Sequence, residues 1–131
     1  MSKRILAGLC GLAALLLCLS VRRAEGQGPI SSVRVGANYS HYRGPCPARL
    51  RFTGNIYVDQ YPMSFNYQWE RSDGAKGQLH VVRVNNPEEQ HIVVREDWTL
   101  STHGEVWESL RVRSGNTDVT SEAARVVVEC N

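Results

Sequence analysis

Phe65-Asn66-Tyr67-Gln68-Trp69-Glu70, running into Arg71-Ser72-Asp73-Gly74-Ala75, is the stretch that decides the fold. Aromatic rings occupy every second position, and amide or acidic side chains fill the positions between. That is the period of a strand with one buried and one wet face. Ser72-Asp73-Gly74 closes the strand as a turn, because glycine reaches positive φ without steric cost. Trp69 is therefore the expected core tryptophan.

The same period recurs on both sides of this strand. Val33, Val35, Ala37 and Tyr39 predict a strand near the start. Leu50, Phe52, Ile56 and Val58 predict a second, with Arg49, Arg51, Thr53 and Asn55 on its other face. Gly54 interrupts that apolar row and suggests a bulge or a close neighbouring backbone. Leu79, Val81 and Val84 predict a strand after the turn, ended by Asn85-Asn86-Pro87 because proline cannot donate to a sheet ladder. Ile92, Val94, Trp98 and Leu100 follow, then Val106 to Val112, and finally Ala124, Val126, Val128 and Cys130. About seven short antiparallel strands, each apolar on one side, predict an all-β, immunoglobulin-like or fibronectin-III-like sandwich.

The first 26 residues differ in composition from the rest. Lys3 and Arg4 precede an uncharged run from Ile5 to Leu19, and Ala24-Glu25-Gly26 places small residues at a cleavage position. This order is that of a secretory leader, and the run is shorter than the roughly 20 residues of a membrane-spanning helix. The expected organisation is a signal peptide over 1–26 and one domain over 27–131, with an uncleaved anchor as the alternative. Positions 1–26 hold four of the 15 basic and one of the 13 acidic residues, which leaves 27–131 at a formal charge of −1. Arg43, Arg49 and Arg51 form only a weak linear cluster, so nucleic acid is not an expected partner, nor a membrane once the leader is removed. Cys10 and Cys18 leave with the leader. Cys46 and Cys130 remain, and two lone cysteines in an exported domain predict a disulfide.

Cys46-Pro47-Ala48, Phe52-Thr53-Gly54, the run from Tyr67 to Ala75, Trp98-Thr99-Leu100 and the terminal Cys130 together resemble a group of small exported bacterial proteins with a single Ig-like domain. The resemblance spans roughly residues 34 to 130. It implies the sandwich fold and an extracytoplasmic location, secreted or in the cell envelope. It carries no activity, because the shared residues are cysteines, core tryptophans and a turn.

No constellation for catalysis stands out along the chain. His41, His80, His91 and His103 are scattered and form no ligand pair, so no metal or other cofactor is expected. Glu96-Asp97 reads as a strand flank. The expectation is a binding or interaction module for an extracellular protein or glycan. The alternatives are a small extracellular enzyme, such as a hydrolase, or an enzyme inhibitor, and a purely structural envelope protein. Candidate binding residues are aromatic or arginine side chains out of phase with the core. Trp107 and Arg111 share one face of their strand, with a bulge returning Trp107 to the core as the other reading. Tyr57 is out of phase with Ile56 and Val58, and Tyr39, Tyr42 and Arg43 stand in the segment before Cys46, expected to be a loop.

Overall fold

The computed structural model describes residues 28–131; the predicted leader lies outside them. Nine strands run in the order β1 (Ile30–Ala37), β2 (His41–Gly44), β3 (Ala48–Val58), β4 (Met63–Arg71), β5 (His80–Val84), β6 (His91–Leu100), β7 (Gly104–Ser114), β8 (Thr117–Thr120) and β9 (Ala124–Cys130), with a single 3-10 turn at Pro87–Glu89. They form two sheets. One is β1-β3-β6; the other is β2-β9-β7-β4-β5, with β8 hydrogen-bonded to β7. The described residues are all-β, a sandwich of Ig-like type.

The inward rows are those the alternation predicts. Leu50, Phe52 and Ile56 of β3 face Phe65 and Trp69 of β4, Leu110 and Val112 of β7, and Val126 and Val128 of β9 in one buried cluster. Burial of each large side chain contributes roughly 1.5–3 kcal/mol. Cys46 and Cys130 are bonded, with Cα atoms 5.4 Å apart across a sequence separation of 84. The bridge ties the start of β3 to the end of β9.

Four sequence expectations need correction. First, the segment before Cys46 is strand β2, paired parallel with β9 from His41↔Val127 to Gly44↔Cys130, so the fold is not wholly antiparallel. Four residues are too few to display a period, and β9 supplies the order. Second, the turn at Gly115 (φ 56°) folds 117–120 back onto β7 as β8, a hairpin with Ser114 opposite Thr117. Third, Leu79 and Val81 are exposed at 56% and 76%. Pairing of Phe65 with Val82 and of Met63 with Val84 turns Val82 and Val84 inward, while His80, in the same row, stacks on Tyr67 at 4.9 Å and stays exposed. Fourth, β3 pairs with β6 without a break from Ala48 to Tyr57, so Gly54 makes no bulge. Side chains, not a backbone, crowd it: an added Cβ would lie 2.5 Å from Leu110 Cδ2, 3.0 Å from Val94 Cγ2 and 3.4 Å from Trp69 Cη2. The missing side chain is the space into which the indole and the leucine pack.

Candidate functional site

The residues predicted for binding do not converge on one site. Trp107 and Arg111 do lie on the outer face of β7, opposite the inward row of Val106, Leu110 and Val112. The β7–β9 register runs unbroken through Trp107↔Arg125, so no bulge returns the indole to the core, and it is half-buried. Its main chain exchanges hydrogen bonds with Ser72: the Trp107 N–H donates to Ser72 Oγ (3.1 Å) and the Ser72 N–H to the Trp107 carbonyl (3.0 Å). Arg111 is engaged within the protein, forking onto Asp118 through Nε (3.0 Å) and an Nη (2.6 Å). Arg43 likewise donates to Glu129 at 2.6 Å. Tyr42 turns inward and its hydroxyl donates to the Pro45 carbonyl (2.6 Å). Tyr39 packs edge-on against Tyr42 at 5.2 Å, and with His41, Tyr42 and Arg43 it lines a shallow open depression beside β2. Tyr57 is on the other sheet, where its ring stacks on His91 at 4.3 Å while Asn55 Oδ1 holds the far side of that imidazole at 2.9 Å from Nε2.

The two outer faces differ in how their charges are used. On the six-stranded sheet every outward arginine of β2, β7 and β9 has a carboxylate partner: Arg43 has Glu129, Arg111 and Arg113 have Asp118, and Arg125 has Glu105, while Arg83 of β5 is exposed and donates to Asn85 Oδ1 (3.2 Å) and Ser64 Oγ (3.3 Å) instead. The outer face of the three-stranded sheet gathers Arg34 from β1, Arg49 and Arg51 from β3 and Arg95 from β6, all exposed. Its strands present one carboxylate there, Asp97, which Arg51 engages through Nε (2.8 Å) and an Nη (3.3 Å). That hydrogen bond and the adjacent positive charge hold the Asp97 carboxyl below its ordinary range. Arg34, Arg49 and Arg95 form no ion pair among the described residues. Reading along the chain missed this group because strand pairing, not sequence proximity, assembles it. Arg34 stands opposite Asn55, and Thr53 opposite Arg95. Arg43, its sequence neighbour in the weak cluster, belongs to the other sheet.

A second group missed in the sequence is buried between the sheets. Glu96 is not a strand flank: it occupies the inward row of β6 between Val94 and Trp98, and Glu108 occupies that of β7 between Val106 and Leu110. Glu108 is fully buried. Arg71, in phase with Trp69 at the end of β4, reaches both carboxyls at 3.4 Å and lies 4.8 Å over the Trp98 ring. One guanidinium thus serves two acids, and the Oε2 atoms of both glutamates are buried without a partner. Burial, then the hydrogen bond and like charge of Glu96, push the Glu108 carboxyl up to about 9 against the opposing pull of Arg71. A proton held on Glu108 lets one acid donate to the other, which answers the orphaned oxygens. The signal was legible: an acid in an otherwise apolar inward row, twice.

This pair makes stability depend on pH in a defined direction. The unfolded Glu108 ionises near its ordinary 4.5, whereas the folded one keeps its proton to about 9. Unfolding between those values releases a proton, so this contribution is fully present below about 4.5 and is lost as pH rises to about 9. Glu108→Gln, isosteric with the protonated acid, is expected to flatten that slope and to exceed the native protein in stability at pH 8.5. Urea unfolding at pH 5, 7 and 8.5 measures it. Equal slopes for the two proteins would mean that Glu108 is ionised in the fold.

Fold and sites together define the class: an Ig-like β-sandwich with a guanidinium-rich outer face and a buried acid pair. The CARDB domain of a Pyrococcus furiosus protein, solved in complex with di-metal ions, superposes with a TM-score of 0.57 over 80% of this chain and 99% of that domain, at 10% identity. The sporulation control protein Spo0M of Bacillus subtilis is also similar, at a TM-score of 0.46 and 15% identity over 80% of this chain and 51% of that one. The first likeness shows a shared fold. No family model and no curated protein matches the sequence.

Proposed function

We propose that this chain is an exported Ig-like binding module that recognises an extracellular partner through the outer face of its three-stranded sheet. The observation that carries the reading is the contrast between the two faces: on the six-stranded sheet the arginines of β2, β7 and β9 are paired with carboxylates and Arg83 of β5 alone among the outward ones is not, whereas Arg34, Arg49 and Arg95 stand together without a carboxylate on the other face. Exposed arginine beside an exposed aromatic such as Tyr57 is the composition enriched at interfaces. The leader-like first 26 residues, the Cys46–Cys130 bond and the resemblance to small exported bacterial proteins support the compartment. The inhibitor alternative loses support, because pairing with β9 fixes His41 to Arg43 of the segment that would have to enter an active site. An enzymatic role for the buried acids is disfavoured by the complete enclosure of Glu108.

Retention of the purified protein on the cells that produce it, measured by co-sedimentation, tests the proposal. The native protein is expected in the pellet. Tyr57→Ala with Arg95→Ser is expected in the supernatant, and Trp107→Ala is expected to behave as native. Loss confined to Trp107→Ala would move recognition to the six-stranded sheet. A native protein that stays in solution would leave no binding role.

A further inference from the structure

The unpaired arginine face has a shape as well as a charge. Its positions form a band along the strands: Arg49 and Arg51 on the central strand, Arg95 one strand to one side opposite Thr53, and Arg34 one strand to the other side opposite Asn55. From the level of Arg49 to that of Asn55 is six residues, or roughly 20 Å at the rise of an extended strand, and three strands span about 10 Å. Thr53, Asn55 and Thr99 supply neutral hydrogen-bonding groups among the cations, Asp97 stands opposite Arg51 and the exposed Val93 opposite Asn55, and Tyr57 with Ser32 and His91 closes one end.

We propose that this band binds a linear polyanionic glycan, a polysaccharide bearing carboxylate or sulfate groups. The inference rests on the binding-module reading above and names its ligand. Four features favour this occupant. All four cations are arginine, whose planar fork matches carboxylate and sulfate oxygens two at a time. Three of the four lack an internal partner, so they stand ready to pair without first breaking a contact. The band is long and one chain wide, which suits an extended polymer better than a broad surface. Hydroxyls and amides between the charges suit sugar hydroxyls, whereas an anionic bilayer has no use for them. Residues 27–131 carry a formal charge of −1, so attraction of a polyanion must be local to this face and cannot come from the protein as a whole.

Binding of polygalacturonate (carboxylates only), heparin (sulfates and carboxylates), neutral dextran and phosphatidylglycerol vesicles to the purified, disulfide-bonded protein is the test, at 20 to 300 mM salt. One or both acidic polysaccharides are expected to bind, weakening steeply with salt, and dextran is not. Arg49→Ser with Arg95→Ser should weaken binding at least tenfold and make the salt dependence shallower. Arg113→Ser with Arg125→Ser changes net charge equally on the other face, and should leave binding within twofold. All these side chains are exposed or partly so, and unchanged melting of both variants confirms that folding is not the cause. Equal loss from the two double variants, binding insensitive to salt, or tighter binding to the vesicles than to either polysaccharide would overturn the proposal. Retention on cells without affinity for either polyanion would reject this ligand class and leave the binding module standing, whereas absence of both would reject the two together.

Discussion

Trp69→Ala is expected to lower stability by about 3 to 5 kcal/mol, while Trp107→Ala is expected to cost about 1 kcal/mol or less. The indole of Trp69 is 3% exposed and reaches across the sandwich to the space above Gly54. Gly54 itself brings no side chain that could move into the void that truncation leaves. The cost therefore includes the cavity as well as the lost transfer free energy. Trp107 is on the opposite side of its sheet, on the outer face of β7, and its structural tie to the turn after β4 runs through its main chain and Ser72. Replacing its side chain leaves those two hydrogen bonds in place. Denaturant unfolding of the two variants checks the contrast. Equal damage from both would assign the Trp107 side chain a packing role that its position does not suggest.

Replacing Cys46 and Cys130 together by alanine is expected to lower stability by about 2 to 5 kcal/mol, the range for native bridges in small domains. Chain entropy for a loop of this length gives about 4 to 5 kcal/mol. The bridge closes nearly the whole domain, so it removes many conformations from the unfolded chain. It also has a local consequence. The end of β9 carries the parallel partner of β2 and the hydrogen bond from the Cys130 N–H to His103 Nδ1 (3.0 Å). Freed of the bridge, the β2–β9 edge is expected to lose amide-exchange protection before the rest of the sheet. Urea unfolding with and without reductant, with exchange at the β2 amides, measures both effects. Unchanged stability on reduction would show that the packed core holds the ends together without the bond.

The sequence by itself determined which residues face the core wherever a strand is long enough to show its period. Leu50, Phe52, Phe65, Trp69, Leu110, Val112, Val126 and Val128 are all where alternation puts them, because a half-buried strand imposes a period of two on its own residues. It also pointed to the disulfide, since Cys46 and Cys130 are the two cysteines outside the leader-like first 26 residues. The inward acids Glu96 and Glu108 were readable by the same parity, but each was visible only to a reader who kept counting through the apolar row.

The short strands were not readable. β2 and β8 have four residues each, and their order comes from β9 and β7. Nor was the phase of β5, where Val81 and Val82 satisfy either face until Phe65 selects one. The arginine face belongs wholly to the tertiary structure. Its members come from positions 34, 49, 51 and 95, and no local pattern links them. Arg43 and Arg111 show the converse, being equally plausible in the sequence yet neutralised by Glu129 and Asp118 once the sheet forms. A side chain's face follows from its own strand. Its neighbours across the sheet, and so its charge partners, follow from which strands pair, and that is settled only when the two sheets close on each other.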